Sequence, residues 1–399
     1  MRALRLAVAI AWLLSATSAF AQTAQERLQQ RENELLSFPV SQDSAAEMAF
    51  LHHPTITRGL AMLGIDEAKR LAAVHGPPQT RVRGLDPETR IERAITNNVL
   101  DWLMQAVLAA NPALASTHVR VGTAEEIGVT LFTARRALIS ALAAAQEADL
   151  QDRLVAALQA THDLAQQMRR VGNASHLDAM RAERSLAEAA ARRTAARALA
   201  ALERERLAHA MGLWGQDIER MQLPPRFPAL PGSVVGAEGM EARAVAWRWD
   251  MRRLRVSIEA SNAATLSVDT SAHEADHGPL TAQLDEMAVR ARAEVRTAWI
   301  SYRAAFDLAR HGRDQLVPIA KRISEEMLLR YNGMLVSVSA LLVDAAEQAT
   351  AVVQALRAER DFWLAEIDLQ QALAGIGILH AGVFLKGQVR DSDSHHGTH

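Results

Sequence analysis

The residues best suited to chemistry stand together in His273-Glu274-Ala275-Asp276-His277, which fits the pattern H-E-x-x-H. On one face of a helix, two histidines a turn apart bind zinc and the glutamate beside them activates a water for hydrolysis. The flanking residues do not favour such a helix. Ser267 to Ala272 offers no apolar face, and Gly278-Pro279 breaks the chain directly after the second histidine. Glu286 and Glu294 are the downstream candidates for a third ligand. A milder reading joins His273 and His277 with the tail residues His395, His396 and His399 as weak ligands for a divalent metal, with no resident cofactor. The plain alternative is a solvated polar loop. Histidine carries these readings because the chain has no cysteine, which excludes disulfides, thiolate nucleophiles, Cys-ligated zinc and iron–sulfur clusters. No Ser-His-Asp arrangement, phosphate-binding glycine loop or dinucleotide fingerprint is present.

The elements that would position these residues follow from composition. Across 399 residues, 44 Lys+Arg face 46 Asp+Glu, so the formal charge of -2 gives no electrostatic reason to expect nucleic acid. Aromatic residues make up 4% and alanine is abundant, which favours long helices over sheets. Residues 1–21 read as a secretory signal, with Arg2 and Arg5 at the positive end, Leu6 to Leu14 as the apolar stretch, and Ala19-Phe20-Ala21 as the cleavage site before Gln22. That stretch is too short to span a membrane, and no uninterrupted run of about 18 apolar residues follows it.

Residues 22–40 form a polar lead. A first helical repeat is expected over 41–213, with helices from Ser41 to Val74, Glu125 to Arg170 and Ser175 to Met211, and a short β-hairpin at 79–102 around Gly84-Leu85-Asp86-Pro87. The proline-rich stretch 214–236 is a linker. A second repeat covers 237–375, with helices from Glu238 to Ala260, Thr281 to Arg330 and Leu335 to Ala374, and a polar loop at 261–280. Residues 376–399 form the histidine-containing tail. The spacing from Gly172 to Gly333 is 161 residues and that from Gly212 to Gly375 is 163, the mark of an internal duplication. The fold class is therefore mainly α: long antiparallel helical hairpins in two duplicated halves, with at most a short β-hairpin. Such hairpins cannot bury their apolar stripes alone and call for partner helices.

Five segments carry a resemblance to a known family. Tyr331-Asn332-Gly333-Met334-Leu335-Val336-Ser337-Val338-Ser339-Ala340-Leu341-Leu342-Val343-Asp344-Ala345 resembles the tip motif of TolC-like outer-membrane efflux proteins, and Val171-Gly172-Asn173-Ala174-Ser175-His176-Leu177-Asp178 looks like its partner in the first repeat. His53-Pro54 is similar to the family's Asn-Pro, Arg248-Trp249-Asp250-Met251 stands where the family prefers Arg-Pro-Asp-Leu, and Phe362 to Leu369 resembles the final helix. The resemblance runs over about residues 40–375 and points to the heavy-metal-linked branch. It implies a homotrimer in which each chain gives strands to an outer-membrane barrel and helices to a tunnel across the periplasm. It also implies a periplasmic adaptor and an inner-membrane pump as partners. Gly172, Ser175, Asp178, Tyr331, Gly333, Ser337 and Asp344 would then belong to the narrow inner end of the tunnel. There glycine suits a tight turn, and a ring of Asp side chains attracts cations. Ordinary turn and cap residues are the plainer reading of the same positions.

The chain departs from the family in its second half. Pro54 and Gly172 are 118 residues apart, Trp249 and Gly333 only 84, and the segment from Ser261 to Pro279 has no alternating apolar run to face lipid. A reduced barrel is the expectation. The sequence thus supports an exported, non-enzymatic efflux conduit for heavy-metal ions or small toxic compounds. The alternatives are a barrel-deficient soluble periplasmic protein that binds metal or an adaptor, and, more remotely, a zinc hydrolase built on His273, Glu274 and His277. The hydrolase reading requires that Glu274→Gln abolish any peptidase activity of the exported protein. The efflux reading expects no change in metal or drug tolerance from that substitution, scored on plates. The export reading expects mass spectrometry of the exported protein to find Gln22 as its first residue.

Overall fold

The computed structural model describes residues 26–65, 114–266 and 278–378. Among these residues the elements are all helical: α1 (26–36), α2 (Gln42–His52), α3 (Pro54–Met62), α4 (Leu114–Arg170), α5 (His176–Met211), α6 (Gln216–Arg220), α7 (Met240–Trp247), α8 (Trp249–Leu266), α9 (Gly278–His311), a π-helical turn (Gly312–Leu316), α10 (Val317–Asn332) and α11 (Val338–Leu373). The hairpin expected at 79–102 lies outside the described residues. So do the signal and the histidine tail from residue 379 onward.

Local chemistry sets the helix ends. Ser41 caps α2 through a capping box with Ser44: the Ser44 N–H donates to the Ser41 hydroxyl at 3.1 Å, and the Ser41 N–H to the Ser44 hydroxyl at 2.7 Å. Pro54 forces the preceding residue out of the helical region, so His53 is extended (φ -65°, ψ 126°) and α2 ends there, while Pro54 itself starts α3. Helix α4 begins at Leu114, earlier than the sequence suggests, and passes through Gly122 without a break. A window of 18 residues within Arg120–Arg170 is apolar enough to cross a membrane, and 67% of it is buried inside the protein, as a core helix requires.

The helices expected without a break from Ser41 to Val74 and from Glu238 to Ala260 are interrupted at the extended His53 and Arg248. Three further stretches differ from expectation. The stretch 261–280, read as a polar loop, is helical at both ends: α8 continues to Leu266 and α9 starts at Gly278. Proline in a first turn lacks an N–H that would have no partner anyway, so Pro279 begins a helix rather than only breaking one. The stretch from Thr281 to Arg330 is not one regular α-helix. The Val317 N–H reaches back five residues to the Gly312 carbonyl, a π-turn just before Pro318, where the proline ring crowds the normal ladder. The linker contains the five-residue helix α6.

The chain forms two compact units. Unit 1 comprises Met1–Arg135, Ala208–Leu223 and Trp249–Leu284; unit 2 comprises Arg136–Leu207, Pro224–Arg248 and Asp285–His399. In unit 1, α2, α3 and α4 supply the buried Phe50, Met48, Ile56, Leu60, Ile127 and Phe132. The buried Arg135 guanidinium donates to the Gln42 side chain at 2.7 Å, and Arg31 clasps the buried Glu47 carboxylate at 2.6 and 3.1 Å. In unit 2, Tyr302, Phe306 and Trp363 surround Phe362 with ring centroids 5.0–5.7 Å away. Arg136 donates to Asp368 at 2.6 Å and ties α4 to α11.

One device occurs twice. In unit 1 the chain turns at His53 between α2 and α3, and Gly212, left-handed at φ 74°, lies against that bend. A Cβ on Gly212 would sit 2.7 Å from His53 Cα. In unit 2, α7 ends at the extended Arg248 (φ -62°, ψ 114°), and Gly375 (φ 77°) lies against that end with room for no Cβ, which would sit 1.9 Å from the Trp247 carbonyl oxygen. Gly212→Ala and Gly375→Ala are each expected to destabilise by more than about 2 kcal/mol in urea unfolding, since both backbone strain and a backbone clash must be relieved. Gly215→Ala, at positive φ (62°) but facing open space, meets backbone strain without a clash and should cost less, about 1–2 kcal/mol.

Candidate functional site

The resemblance placed function at the two helix-to-helix turns, and in unit 2 these turns lie side by side. At the first, α4 ends in a Schellman motif: the Asn173 N–H bonds the Met168 carbonyl at 2.8 Å and the Gly172 N–H that of Arg169 at 3.1 Å, with Gly172 left-handed at φ 79°. Two residues on, Ser175 and Asp178 form a capping box for α5. The Asp178 N–H donates to the Ser175 hydroxyl at 3.1 Å, and the Asp178 carboxylate accepts from that hydroxyl at 2.6 Å and from the Ser175 N–H at 3.3 Å. The Ser175 hydroxyl first, then its backbone N–H, hold the Asp178 carboxyl below the usual range, so it is ionised at neutral pH. Arg181 stands 3.9 Å away.

The second turn repeats the motif one residue further along. The Leu335 N–H bonds the Arg330 carbonyl at 2.9 Å and the Met334 N–H that of Tyr331 at 2.9 Å. The left-handed residue is therefore Met334 (φ 59°), while Gly333 is right-handed at φ -79°. This corrects the reading of Gly333 as the residue that turns the chain. The turn places a bulky side chain where glycine is favoured, and Met334 is 93% exposed. Ser337 caps α11, its hydroxyl accepting from the Ala340 N–H at 3.3 Å. In this register Gly172 pairs with Met334 and Ser175 with Ser337, a common spacing of 162 residues.

Tyr331 joins the two turns. Its ring packs on a cluster of Val155, Leu158, Ala165, Ala182, Ala189 and Leu342, and its hydroxyl lies 3.9 Å from the Met168 sulfur. Asp344 does not share the surface of the turns. It is 7% exposed and accepts from the Ser324 hydroxyl at 2.6 Å, so it fastens α10 to α11 rather than presenting charge. Of the expected acidic pair, Asp178 alone stands at a turn. Val171, Leu177, Leu329 and Leu335 are exposed around it, giving this end an apolar rim.

A groove of about 770 Å³ that no sequence motif marks lies beside the turns, lined by Arg181, Arg184, Leu342, Val343, Glu347 and Gln354 from α5 and α11. Its only sequence signal is the spacing of three or four residues, which any helix face shows. His273, His277, His395, His396 and His399 lie outside the described residues, as does Glu274. The third-ligand candidates are engaged by arginine: Glu286 by Arg290 at 2.8 Å and Glu294 by Arg248 at 3.3 Å. Among the described residues no three His, Cys, Asp or Glu side chains converge as a metal site.

No protein-family model and no curated protein matches this sequence. The fold is nevertheless that of solved outer-membrane proteins. The outer membrane protein VceC of Vibrio cholerae aligns with 88% of this chain and 98% of its own at TM-score 0.57 and 14% identity. A membrane protein from Pseudomonas aeruginosa aligns with 85% of this chain and 95% of its own at TM-score 0.55 and 15% identity. The Campylobacter jejuni CmeC outer membrane channel aligns with 91% of this chain and 89% of its own at TM-score 0.53 and 11% identity. At such identities the likeness establishes the fold, a TolC-like arrangement of helical hairpins.

Removing the side chain at the left-handed position should relieve the second turn. Met334→Gly is expected to stabilise by up to about 1 kcal/mol, and Gly333→Ala to change stability by only a few tenths, both read from urea midpoints. The opposite ranking would restore Gly333 as the turn residue.

Proposed function

We propose that this chain is an exported efflux component in which sister chains assemble a helical conduit. The conduit reaches the outer membrane and meets a periplasmic adaptor and an inner-membrane pump at its inner end. The observation that carries this reading is the meeting of the two helical turns at one end of unit 2, joined through Tyr331 and Met168, in a chain with the fold of outer-membrane channels. The role of the chain is structural: it encloses a path and carries out no chemistry.

A homotrimer agrees with the apolar surface. Val289, Ile300, Leu308, Ile319 and Ile323 on α9 and α10 are 38–62% exposed in the single chain. Covering the part of each side chain still exposed is worth about 1 kcal/mol, which favours association between copies. Gly172, Ser175, Asp178, Tyr331, Gly333 and Ser337 would surround the inner opening, with Asp178 supplying its negative charge. Heavy-metal ions or small toxic compounds are the proposed cargo. The shorter second half, with 84 residues between Trp249 and Gly333, supports a second reading: a soluble periplasmic protein with a deficient barrel that binds metal or an adaptor.

Fractionation and tolerance separate the two. A conduit is extracted from membranes only with detergent, and its deletion lowers tolerance to metals or toxic organic compounds. A fully soluble periplasmic protein whose deletion leaves tolerance unchanged would contradict it. Within the conduit reading, Asp178→Asn should reduce cation conductance in planar bilayers while leaving assembly intact.

A further inference from the structure

The bend between α2 and α3 in unit 1 holds a pair of imidazoles for which the efflux reading has no use. The His53 Nδ1 accepts the Thr55 N–H at 3.3 Å and caps α3, so the neutral ring carries its proton on Nε2. The His209 ring, in the last turn of α5, meets it edge to face with centroids 6.1 Å apart. Gly212, three residues beyond His209, lies so close that a Cβ there would fall 2.7 Å from His53 Cα and 2.8 Å from the His52 carbonyl carbon. Bend and helix end thus touch through backbone, which leaves little room for one ring to retreat from the other.

Among the described residues, the surrounding charges do not offset a cation on His53. Glu32 on α1 stands 3.7 Å from the neighbouring His52, and the Glu32 carboxyl is itself raised, first by burial and then by Asp217 of α6, with Arg220 of α6 opposing. Arg58 on α3 pairs with Glu126 on α4 at 3.2 Å. Burial first, and the adjacent His209 second, hold His53 below the ordinary imidazole range.

We propose that His53 is a proton-operated latch: protonation occupies Nδ1, withdraws the cap from α3, and sets a cation against His209 beside backbone that cannot yield. Acid therefore loosens the α2–α3 bend from the end of α5. The sign follows from linkage. The folded chain resists protonation of His53 more than an unfolded chain does, so the bend keeps its full stability above about pH 6.5 and loses it as pH falls from there through the lower folded value.

Hydrogen exchange of the full-length exported protein, read by mass spectrometry at about pH 7.5 and about 5.5 and corrected for intrinsic rates, tests the latch. In the parent protein the peptide covering Thr55 to Leu60 should lose protection roughly fivefold on acidification, the equivalent of one cap hydrogen bond. His53→Asn, which caps without titrating in this range, should show no acid-induced loss. His209→Gln should move the loss to higher pH by removing the opposing ring. An unchanged parent peptide, or a His53→Asn variant that loosens as much as the parent, overturns the proposal. If His53→Asn does not fold, an unmoved midpoint in His209→Gln overturns it instead.

Discussion

A long helix with an apolar stripe must cover that stripe along its whole length, and a single hairpin partner covers one side of it. Helix α11 has 36 residues, about 54 Å of rise, and the rest of unit 2 is arranged around this demand. On the inner side, Leu342 closes against Val155, Leu158, Ala165, Ala182 and Ala189, and further along Phe362 seats itself among Tyr302, Phe306 and Trp363. Gly312 lets the π-turn lie against Ala355, where a Cβ would be only 3.1 Å from its Cα. Ion pairs such as Arg357–Glu147 and Arg197–Asp152 decorate these seams, but exposed pairs of this kind contribute less than about 1 kcal/mol each. Val289, Ile300 and Leu308 on α9 and Ile319 and Ile323 on α10 remain exposed in one chain, and the proposed assembly of sister chains is what would cover them.

Register along such seams depends on where the helices begin and end. A helix of this length could slide by one turn and still bury much of its stripe, so fixed ends matter. The Schellman turns and the serine caps at Ser175 and Ser337 fix one end of each hairpin. The glycine contacts at His53 and Trp247 fix the other ends, because backbone packed against backbone tolerates no rearrangement of side chains. In unit 1 the helix ends at His53 because Pro54 follows it, whereas in unit 2 α7 ends at the extended Arg248 with no proline after it.

Much of the helical plan was legible because alanine-rich stretches leave few alternatives, and because Gly172, Ser175 and Asp178 carry a cap signature readable residue by residue. Gly333 misled: a glycine near a helix end is normally the left-handed residue, yet the hydrogen bonds select Met334, a shift of one that no propensity reveals. Asp344 was legible as a polar residue of the motif, but its direction depends on Ser324, twenty residues away in sequence and across a hairpin. The helical ends of the stretch 261–280 were hidden by its small polar residues, which fit loop and helix alike. The π-turn was hidden because Gly312 and Pro318 are compatible with a plain break. The groove between α5 and α11 could not be read at all, since it exists only once the two hairpins pack.

The central claim is that these hairpins are completed by sister chains. Native mass spectrometry of the mature protein released from detergent tests it most directly. The account predicts a mass of three chains that persists on dilution; a stable single chain, with the faces of α9 and α10 left bare, would contradict it.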